Sequence, residues 1–145
     1  MTTKVILLIE DNPDDAELAV RALAMGRVKS TVVRARDGVE ALDYLFGTGA
    51  YAARPGVMPD VVLLDLKLPR VDGLEVLRRL RADERTKYLP VVIMTSSLRE
   101  RDIESGYALG ANSYVCKPVQ FSQFVETANQ LCAYWLTVNQ SVRRS

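Results

Sequence analysis

The sequence predicts a single α/β domain built on a doubly wound, five-stranded parallel sheet. Five short apolar runs alternate along the 145 residues with five stretches that have helical spacing. The runs at 5–9 and 61–64 are apolar throughout, which is typical of strands buried on both faces. Because strict alternation makes the strands parallel, with helical crossovers on both faces, we expect one domain over 1–145 with its core at about 4–138.

In the first half of the chain, the run VILLI at 5–9 predicts a buried strand. The sequence NPDD at 12–15 predicts a helix start, with an asparagine cap, a proline at the first helical position and acids at the positive end. This helix is expected to reach Gly26. A shorter, more polar strand at 31–36, near a sheet edge, and a helix at 39–46 follow.

The second half repeats the pattern after a long surface loop at 47–59, which has three glycines and two prolines. The predicted elements are strands at 60–65, 90–95 and 113–116 and helices at 74–80, 98–109 and 122–138.

The composition excludes several classes of function. A net charge of +1 gives no nucleic-acid footprint, and we interpret the basic stretch at 78–87 as a solvated helix face. The N-terminal apolar run is too short for a signal peptide or a membrane span, so we expect a cytoplasmic protein. Cys116 and Cys132 lack metal-binding spacing and are expected to be buried thiols of a reducing compartment.

The sequence has no histidine. A Ser-His or Cys-His nucleophile is therefore excluded, and this chain cannot itself form phosphohistidine. Any phosphoryl group that it carries must come from another protein.

Polar side chains follow four of the five predicted strands. Glu10 and Asp11 follow the first, Asp65 ends the third, Thr95 ends the fourth, and Lys117 follows the fifth. In a doubly wound sheet these carboxyl ends meet at one edge, where ligands bind. The second strand contributes nothing comparable.

Three carboxylates brought together repel one another, and oxygen-only ligands favour Mg²⁺ or Mn²⁺. Glu10, Asp11 and Asp65 with the backbone carbonyl of Lys67 therefore form the predicted metal site. Asp65 is the predicted nucleophile toward phosphorus. Thr95 and Lys117 are expected to bind the phosphoryl oxygens, with a cis bond between Lys117 and Pro118 fixing the lysine.

These residues together resemble the receiver domains of bacterial two-component response regulators. The resemblance covers essentially the whole chain and depends on the acid pair, LLDLKLP–VDG, PVVIMTSS and YVCKP. It implies a sheet in the order 2-1-3-4-5 with five helices, and a protein that catalyses only its own phosphorylation and dephosphorylation. It also implies that Asp65 is the phosphoacceptor and Lys117 the pocket lysine.

The same resemblance assigns a switch. Thr95 moves toward the phosphoryl group and Tyr114 turns inward, which alters the face formed by the fourth helix, fifth strand and fifth helix. Ser96 is the small residue that leaves the site open, while Lys67 and Ser97 set the rate of dephosphorylation.

A narrower likeness concerns partners. The loop GTGAYAARPGVMPD and the ending AYWLTVNQ look like those of stand-alone receivers paired with bacterial phytochrome histidine kinases. The expected partner is thus a red-light-sensing histidine kinase. The chain is too short for an output domain, so a downstream phosphotransfer protein is another expected partner. We expect no nucleic-acid or membrane partner.

The last predicted helix carries apolar residues at helical spacing, most of which fit the core. Trp135 and Leu136 lie near its end, and we expect them to extend an apolar patch for a homodimer or a docked partner.

Three other functions were weighed. An aspartyl phosphatase of the haloacid-dehalogenase type requires an acid two positions after the nucleophile, where this chain has Lys67, and a cap domain. A flavodoxin-like carrier requires a hydroxyl- and glycine-rich phosphate loop, whereas acids follow the first strand here. A docking scaffold that is never phosphorylated is the third alternative.

Overall fold

A computed structural model of the chain describes residues 3–53 and 56–142. Five parallel strands form one sheet in the order β2-β1-β3-β4-β5. The strands are β1 (Lys4–Ile9), β2 (Ser30–Ala35), β3 (Val61–Leu64), β4 (Val91–Thr95) and β5 (Ser113–Cys116). The predicted fold class, strand order and edge position of the second strand are confirmed.

Five α-helices connect and follow these strands. They are α1 (Pro13–Ala24), α2 (Gly38–Phe46), α3 (Gly73–Ala82), α4 (Glu100–Ala108) and α5 (Phe121–Cys132). The predicted long last helix is wrong in its final part, where the backbone becomes π-helical over Ala133–Val138. The predicted loop at 47–59, of which 54–55 lie outside the described residues, contains a short 3-10 helix, Gly49–Tyr51.

Two apolar layers cover the sheet, one on each face. Because side chains alternate along a strand, Leu7 and Ile9 of β1 face α2 and α3, while Ile6 and Leu8 face α1 and α5. Phe124 and Ala128 of α5 pack into the second layer. Helices on both faces leave the ends of the strands as the place where polar groups gather.

The π-helical segment Ala133–Val138 corrects the prediction that Trp135 and Leu136 form an exposed patch. Leu136 is buried in the layer formed with α1 and α5, so it belongs to the core and is not part of an exposed patch. Trp135 is partly buried against the same layer, and its ring meets that of Tyr134 edge to face at 4.8 Å. Only Trp135 of the predicted pair remains accessible.

The basic stretch at 78–87 is also not uniform. Arg78 and Arg79 are exposed and pair with Glu75 within α3, as a solvated helix face predicts. Arg81 instead turns inward at the amino ends of β4 and β5. It donates to the carbonyl oxygens of Gly110, Thr86, Lys87 and Leu89 and to Asn112 Oδ1, at 2.8–3.3 Å.

Within the described residues, no helix is both long enough and apolar enough to cross a bilayer.

Candidate functional site

The predicted acids meet at the carboxyl ends of two neighbouring strands. Glu10 and Asp11 directly follow β1, and Asp65 directly follows β3, which pairs with β1. One carboxylate oxygen from each of the three lies within 4.8 Å of the others. Glu10 and Asp65 are buried, with 4% and 7% of their surface exposed, whereas Asp11 is open to solvent. The pocket thus has two buried carboxylates and one carboxylate that is open to solvent.

The chemistry of this donor set fits a small divalent cation. Carboxylate oxygens are hard ligands, and three of them on one site suit Mg²⁺ or Mn²⁺. Glu10, Asp11 and Asp65 could therefore hold such an ion. For Lys67, the observed contact is its backbone N–H, which donates to Asp65 Oδ1 at 3.3 Å. Its role as a carbonyl ligand stays a prediction.

Lys117, which follows β5, reaches across to the same pocket. Its Nζ lies 2.6 Å from Glu10 Oε1 and 2.8 Å from Asp65 Oδ2, with 13% of the side chain exposed. A third carboxylate, Asp15 in the first turn of α1, accepts from the same Nζ at 3.1 Å. The sequence pattern places Asp15 at the helix start, among the acids that follow the first strand, and does not connect it with Lys117. A lysine opposite an acid pair was visible in the sequence, but its third partner was not.

Burial and charge shift the pKa values of the pocket in a consistent way. Burial raises the pKa of Glu10 to about 6, helped by the nearby Asp65 carboxylate and opposed by the hydrogen bond from Lys117. Burial alone lowers the pKa of a lysine. Hydrogen bonds to Asp65 and Glu10 outweigh this for Lys117, so its pKa is raised and the ammonium stays charged. The Lys117 side chain therefore keeps its positive charge in the pocket over the ordinary pH range.

The second strand does contribute to the pocket, which corrects the sequence prediction. Arg34 near the end of β2 donates from Nε and Nη2 to the carbonyl oxygen of Glu10, at 3.2 and 3.1 Å. Its Nη2 also lies 3.3 Å from the carbonyl oxygen of Asp11. Arg34 thus holds the backbone of the acid pair and does not contact its carboxylates.

The backbone of Asp65 is packed against the start of α3. Gly73 donates its N–H to the carbonyl oxygen of Leu66 at 2.9 Å. A Cβ atom at position 73 would lie 2.3 Å from the carbonyl oxygen of Asp65 and 2.7 Å from the Cα of Leu66. Such a contact is far inside van der Waals distance, so only glycine fits beside Asp65 at the end of β3.

The predicted switch residues lie on the β4 and β5 side of the pocket. Thr95 is 1% exposed, and its hydroxyl accepts from the N–H of Ser97 at 3.4 Å. The Tyr114 hydroxyl donates to the carbonyl oxygen of Ser97 at 2.8 Å, and the Ser97 hydroxyl donates to Asp102 Oδ2 at 2.5 Å. The short loop after β4 is therefore held by both β5 and α4.

Electrostatics around this loop involve a second predicted residue. The hydrogen bond from Ser97 lowers the pKa of Asp102, with further contributions from Arg99, Arg101 and Lys67. The two residues predicted to set the dephosphorylation rate, Lys67 and Ser97, thus share Asp102 as a neighbour. The sequence does not single out Asp102, because nothing in its spacing distinguishes it from Glu100 and Glu104, the exposed acids of α4.

Two further expectations were wrong. No cis peptide bond occurs in the described part of the chain, so the bond between Lys117 and Pro118 is trans. Lys117 is instead oriented by its three carboxylate partners. Cys116 is exposed, because β5 is an edge strand and its last residue faces solvent, whereas Cys132 is buried as expected.

Comparison with known proteins identifies the family of this chain. Residues 6–129 match the family described as response regulator receiver domain. The probable methanogenesis regulatory protein FilR2 of Methanothrix harundinacea is 39% identical over 137 residues, which cover 94% of this chain and 86% of FilR2. Response regulator Rcp1 of Synechocystis is 34% identical over 133 residues, 92% of this chain and 89% of Rcp1.

Solved structures agree with this assignment. The phosphorylated cyanobacterial phytochrome response regulator RcpA superposes with a TM-score of 0.90 at 39% identity, covering 98% of this chain and all of RcpA. The bacteriophytochrome response regulator AtBRR gives 0.78 at 48% identity, with full coverage of both chains. The Mn²⁺-bound form of Rcp1 gives 0.86 at 31% identity, covering 97% of this chain and 99% of that one.

The match covers most of the chain, and relatives above 30% identity extend over nearly all of it. The chain therefore belongs to the response regulator receiver family of two-component systems.

Proposed function

We propose that this chain is a single-domain response regulator that accepts a phosphoryl group on Asp65 from a partner histidine kinase. The observation that carries the proposal is the position of the Asp65 carboxylate. Its Oδ2 lies 2.8 Å from Lys117 Nζ, and it shares a site for a divalent cation with Glu10 and Asp11. In this proposal Mg²⁺ is the physiological ion, and when bound it neutralises charge on the transferring group.

The residues of the chain have distinct tasks in the transfer. An oxygen of Asp65 attacks phosphorus, and the bond from phosphorus to the kinase imidazole breaks with its electron pair returning to nitrogen. The Lys117 ammonium then pairs with a phosphoryl oxygen. The Thr95 hydroxyl, buried beside the pocket, binds another. Burial of Asp65 limits the access of water to the acyl phosphate that forms.

The output follows from the loop after β4. Movement of Thr95 toward the phosphoryl group pulls on Ser97, whose carbonyl oxygen is bound by Tyr114. Tyr114 turns inward as this contact is remade, and the surface of α4, β5 and α5 changes with it. A downstream phosphotransfer protein or the kinase itself reads that surface.

The first test is phosphorylation by acetyl phosphate with Mg²⁺, followed by intact mass. We expect the native chain to gain one phosphoryl group, and chelator or Asp65→Asn to abolish the gain. Asp60→Asn is the matched control, because Asp60 precedes β3 and accepts from the N–H of Val5 at the amino ends of the strands, away from the pocket. It should be phosphorylated like the native chain.

The outcomes separate the proposal from its alternatives. A gain that survives Asp65→Asn would identify a different acceptor. A native chain that takes no phosphoryl group from acetyl phosphate or from any histidine kinase would instead be a docking scaffold.

The proposed partner is a phytochrome-type histidine kinase in the cytoplasm. The support is that RcpA and AtBRR are described as phytochrome response regulators. FilR2, described as a methanogenesis regulator, shows that comparable identity occurs outside light signalling. Phosphotransfer from a bacteriophytochrome kinase should be faster than from an unrelated histidine kinase, and equal rates would contradict this partner.

Phosphate lifetime is proposed to depend on Lys67 and Ser97. Ser97→Ala removes the hydroxyl that binds Asp102, and Lys67→Ala removes the ammonium near the same carboxylate. Either change should alter the half-life of phosphorylated Asp65 without preventing its formation. Loss of all phosphorylation in both variants would contradict a purely rate-setting role.

Self-association is the remaining part of the proposal. With Leu136 in the core, Trp135 is the predicted residue that can contribute to a homodimer. Light scattering should show a dimer that Trp135→Ala weakens. A monomer with and without a phosphate mimic would exclude the dimer.

A further inference from the structure

Asp15 differs from the other acids that surround Lys117. Of the three carboxylates on the ammonium, Glu10 and Asp65 also belong to the group whose oxygens lie within 4.8 Å of one another. Asp15 contacts Lys117 at 3.1 Å and is not a member of that group. It is also the most accessible of the three, with 41% of its side chain exposed against 5% and 9%.

This arrangement creates a competition for two carboxylates. A divalent cation and the Lys117 ammonium both draw on Glu10 and Asp65, and each weakens the hold of the other. When the cation binds, the ammonium loses part of its attraction to the pocket. Only a carboxylate outside the shared set can keep it there at no cost to the cation.

We propose that Asp15 is a positioning residue that keeps the Lys117 ammonium at the pocket while a divalent cation occupies Glu10 and Asp65. The inference rests on the proposed function and adds a residue that acts through Lys117. When a divalent cation weakens the contacts of Lys117 with Glu10 and Asp65, the ammonium keeps its contact with Asp15. The free-energy cost of weakening those two contacts is therefore smaller. Asp15 thus strengthens cation binding and has the lysine in place for the phosphoryl group.

The plain alternative is that Asp15 only stabilises the start of α1. An acid in the first turn of a helix interacts favourably with the helix dipole, and Asp14 and Asp15 both lie there. The backbone N–H groups of both donate to Asn12 Oδ1, at 2.9 and 3.0 Å. They differ in that Asp15 also binds Lys117, so Asp14 is the matched control for charge and dipole.

The experiment measures Mn²⁺ affinity from the free ion seen by electron paramagnetic resonance, without any phosphorylation. We expect Asp15→Asn to weaken binding by about threefold to tenfold, and Asp14→Asn by less than about twofold. Asp15→Glu, which keeps the charge, should lie closer to the native chain than Asp15→Asn does. Equal effects of Asp15→Asn and Asp14→Asn would overturn the inference.

A double-mutant cycle then tests whether Asp15 acts through Lys117. In a Lys117→Met background, no ammonium competes for Glu10 and Asp65. Replacing Asp15 by Asn should then weaken Mn²⁺ binding no more than replacing Asp14 does. An undiminished effect in that background would show that Asp15 acts directly on the cation and would also overturn the inference.

These outcomes are separable from a failure of the proposed function. A native chain that binds Mn²⁺ and is phosphorylated, with Asp15→Asn behaving like Asp14→Asn, contradicts only the role of Asp15. A native chain that binds no Mn²⁺ contradicts both.

Discussion

Two positively charged side chains lie at opposite ends of the strands, and they have different kinds of hydrogen-bond partners. Arg81, at the amino ends of β4 and β5, binds only neutral oxygens, four backbone carbonyls and one amide. Lys117, at the carboxyl ends, binds three carboxylates. Burial lowers the pKa of Arg81, whereas the pKa of Lys117 is raised because its charged partners outweigh burial.

The difference separates a cationic side chain with fixed partners from one whose partners can change. The planar guanidinium of Arg81 donates to several fixed carbonyl oxygens at once, which a lysine ammonium could not match in geometry. The ammonium of Lys117 is a point charge whose carboxylates can be shared with an incoming cation or exchanged for a phosphoryl group. Neutral partners thus fix one end of the sheet, and charged partners leave the other end open to rearrangement.

The largest expected effect concerns Arg81. Arg81→Ala removes the hydrogen bonds that this side chain donates to four carbonyl oxygens and to Asn112, and should lower the free energy of unfolding by about 2–4 kcal/mol. Mn²⁺ affinity of the folded protein should not change, because the pocket lies at the carboxyl ends of the strands and Arg81 at their amino ends. Urea unfolding and Mn²⁺ titration measure the two quantities.

The control for this prediction is Arg78→Ala. Arg78 lies on the same helix but pairs with Glu75 at the surface, so its loss should leave the free energy of unfolding nearly unchanged. Similar losses in both variants would remove the distinction between the buried and the solvated arginine.

The second prediction concerns Glu10. Its pKa of about 6 in the folded protein lies above the ordinary value of 4.5, so the folded state binds more protons between these pH values. The metal-free protein should therefore gain up to about 2 kcal/mol of stability as the pH falls from 7 through 6 toward 4.5.

Urea unfolding in chelator at pH 7 and pH 5 tests this sign. Glu10→Gln removes the titrating group and should show a flatter dependence than the native chain. If the native chain instead loses stability toward pH 5 in parallel with Glu10→Gln, the raised pKa is not present in the folded protein.

The smallest expected effect concerns Arg34, which sharpens the comparison because it lies at the functional end but binds carbonyls, as Arg81 does. Arg34→Ala should cost about 1 kcal/mol of stability, since one of its two partners, the carbonyl oxygen of Asp11, belongs to an exposed residue and can be hydrated. Mn²⁺ binding should weaken about twofold to threefold, because the acid pair is less well held.

Arg36→Ala, one residue beyond β2 at an exposed position, is its control and should leave Mn²⁺ affinity unchanged. If Arg34→Ala lowers the free energy of unfolding as much as Arg81→Ala does, Arg34 mainly stabilises the fold, as Arg81 does.

The sequence was informative where a single strand carries its own signal. The all-apolar runs predicted β1 and β3 because strands covered on both faces need such residues, and parallel strands bring Glu10, Asp11 and Asp65 together. The residues that were missed depend on long side chains that reach between elements. Arg34 and Arg81 donate to carbonyl groups that lie outside their own strand or helix, which leaves no periodic trace in the sequence.

The errors near the chain end have a similar cause. Leu136 is predicted at the surface because it lies near the end of the last predicted helix, but its side chain is buried in the layer formed with α1 and α5. Cys116 was expected to be buried by its apolar neighbours, but β5 has no strand beyond it. Apolar spacing alone does not show where a sheet stops or where a helix changes its period.

Gly73 has a consequence for transplanting the pocket into other proteins. Its missing side chain lets the start of α3 lie directly against the carbonyl oxygen of Asp65 and the Cα of Leu66. The aspartate and the glycine are therefore one portable unit, and a graft that copies Asp65 with its pocket partners but not the glycine would displace Asp65 itself. Engineers who transfer this pocket to another protein should move residues 65–73 together.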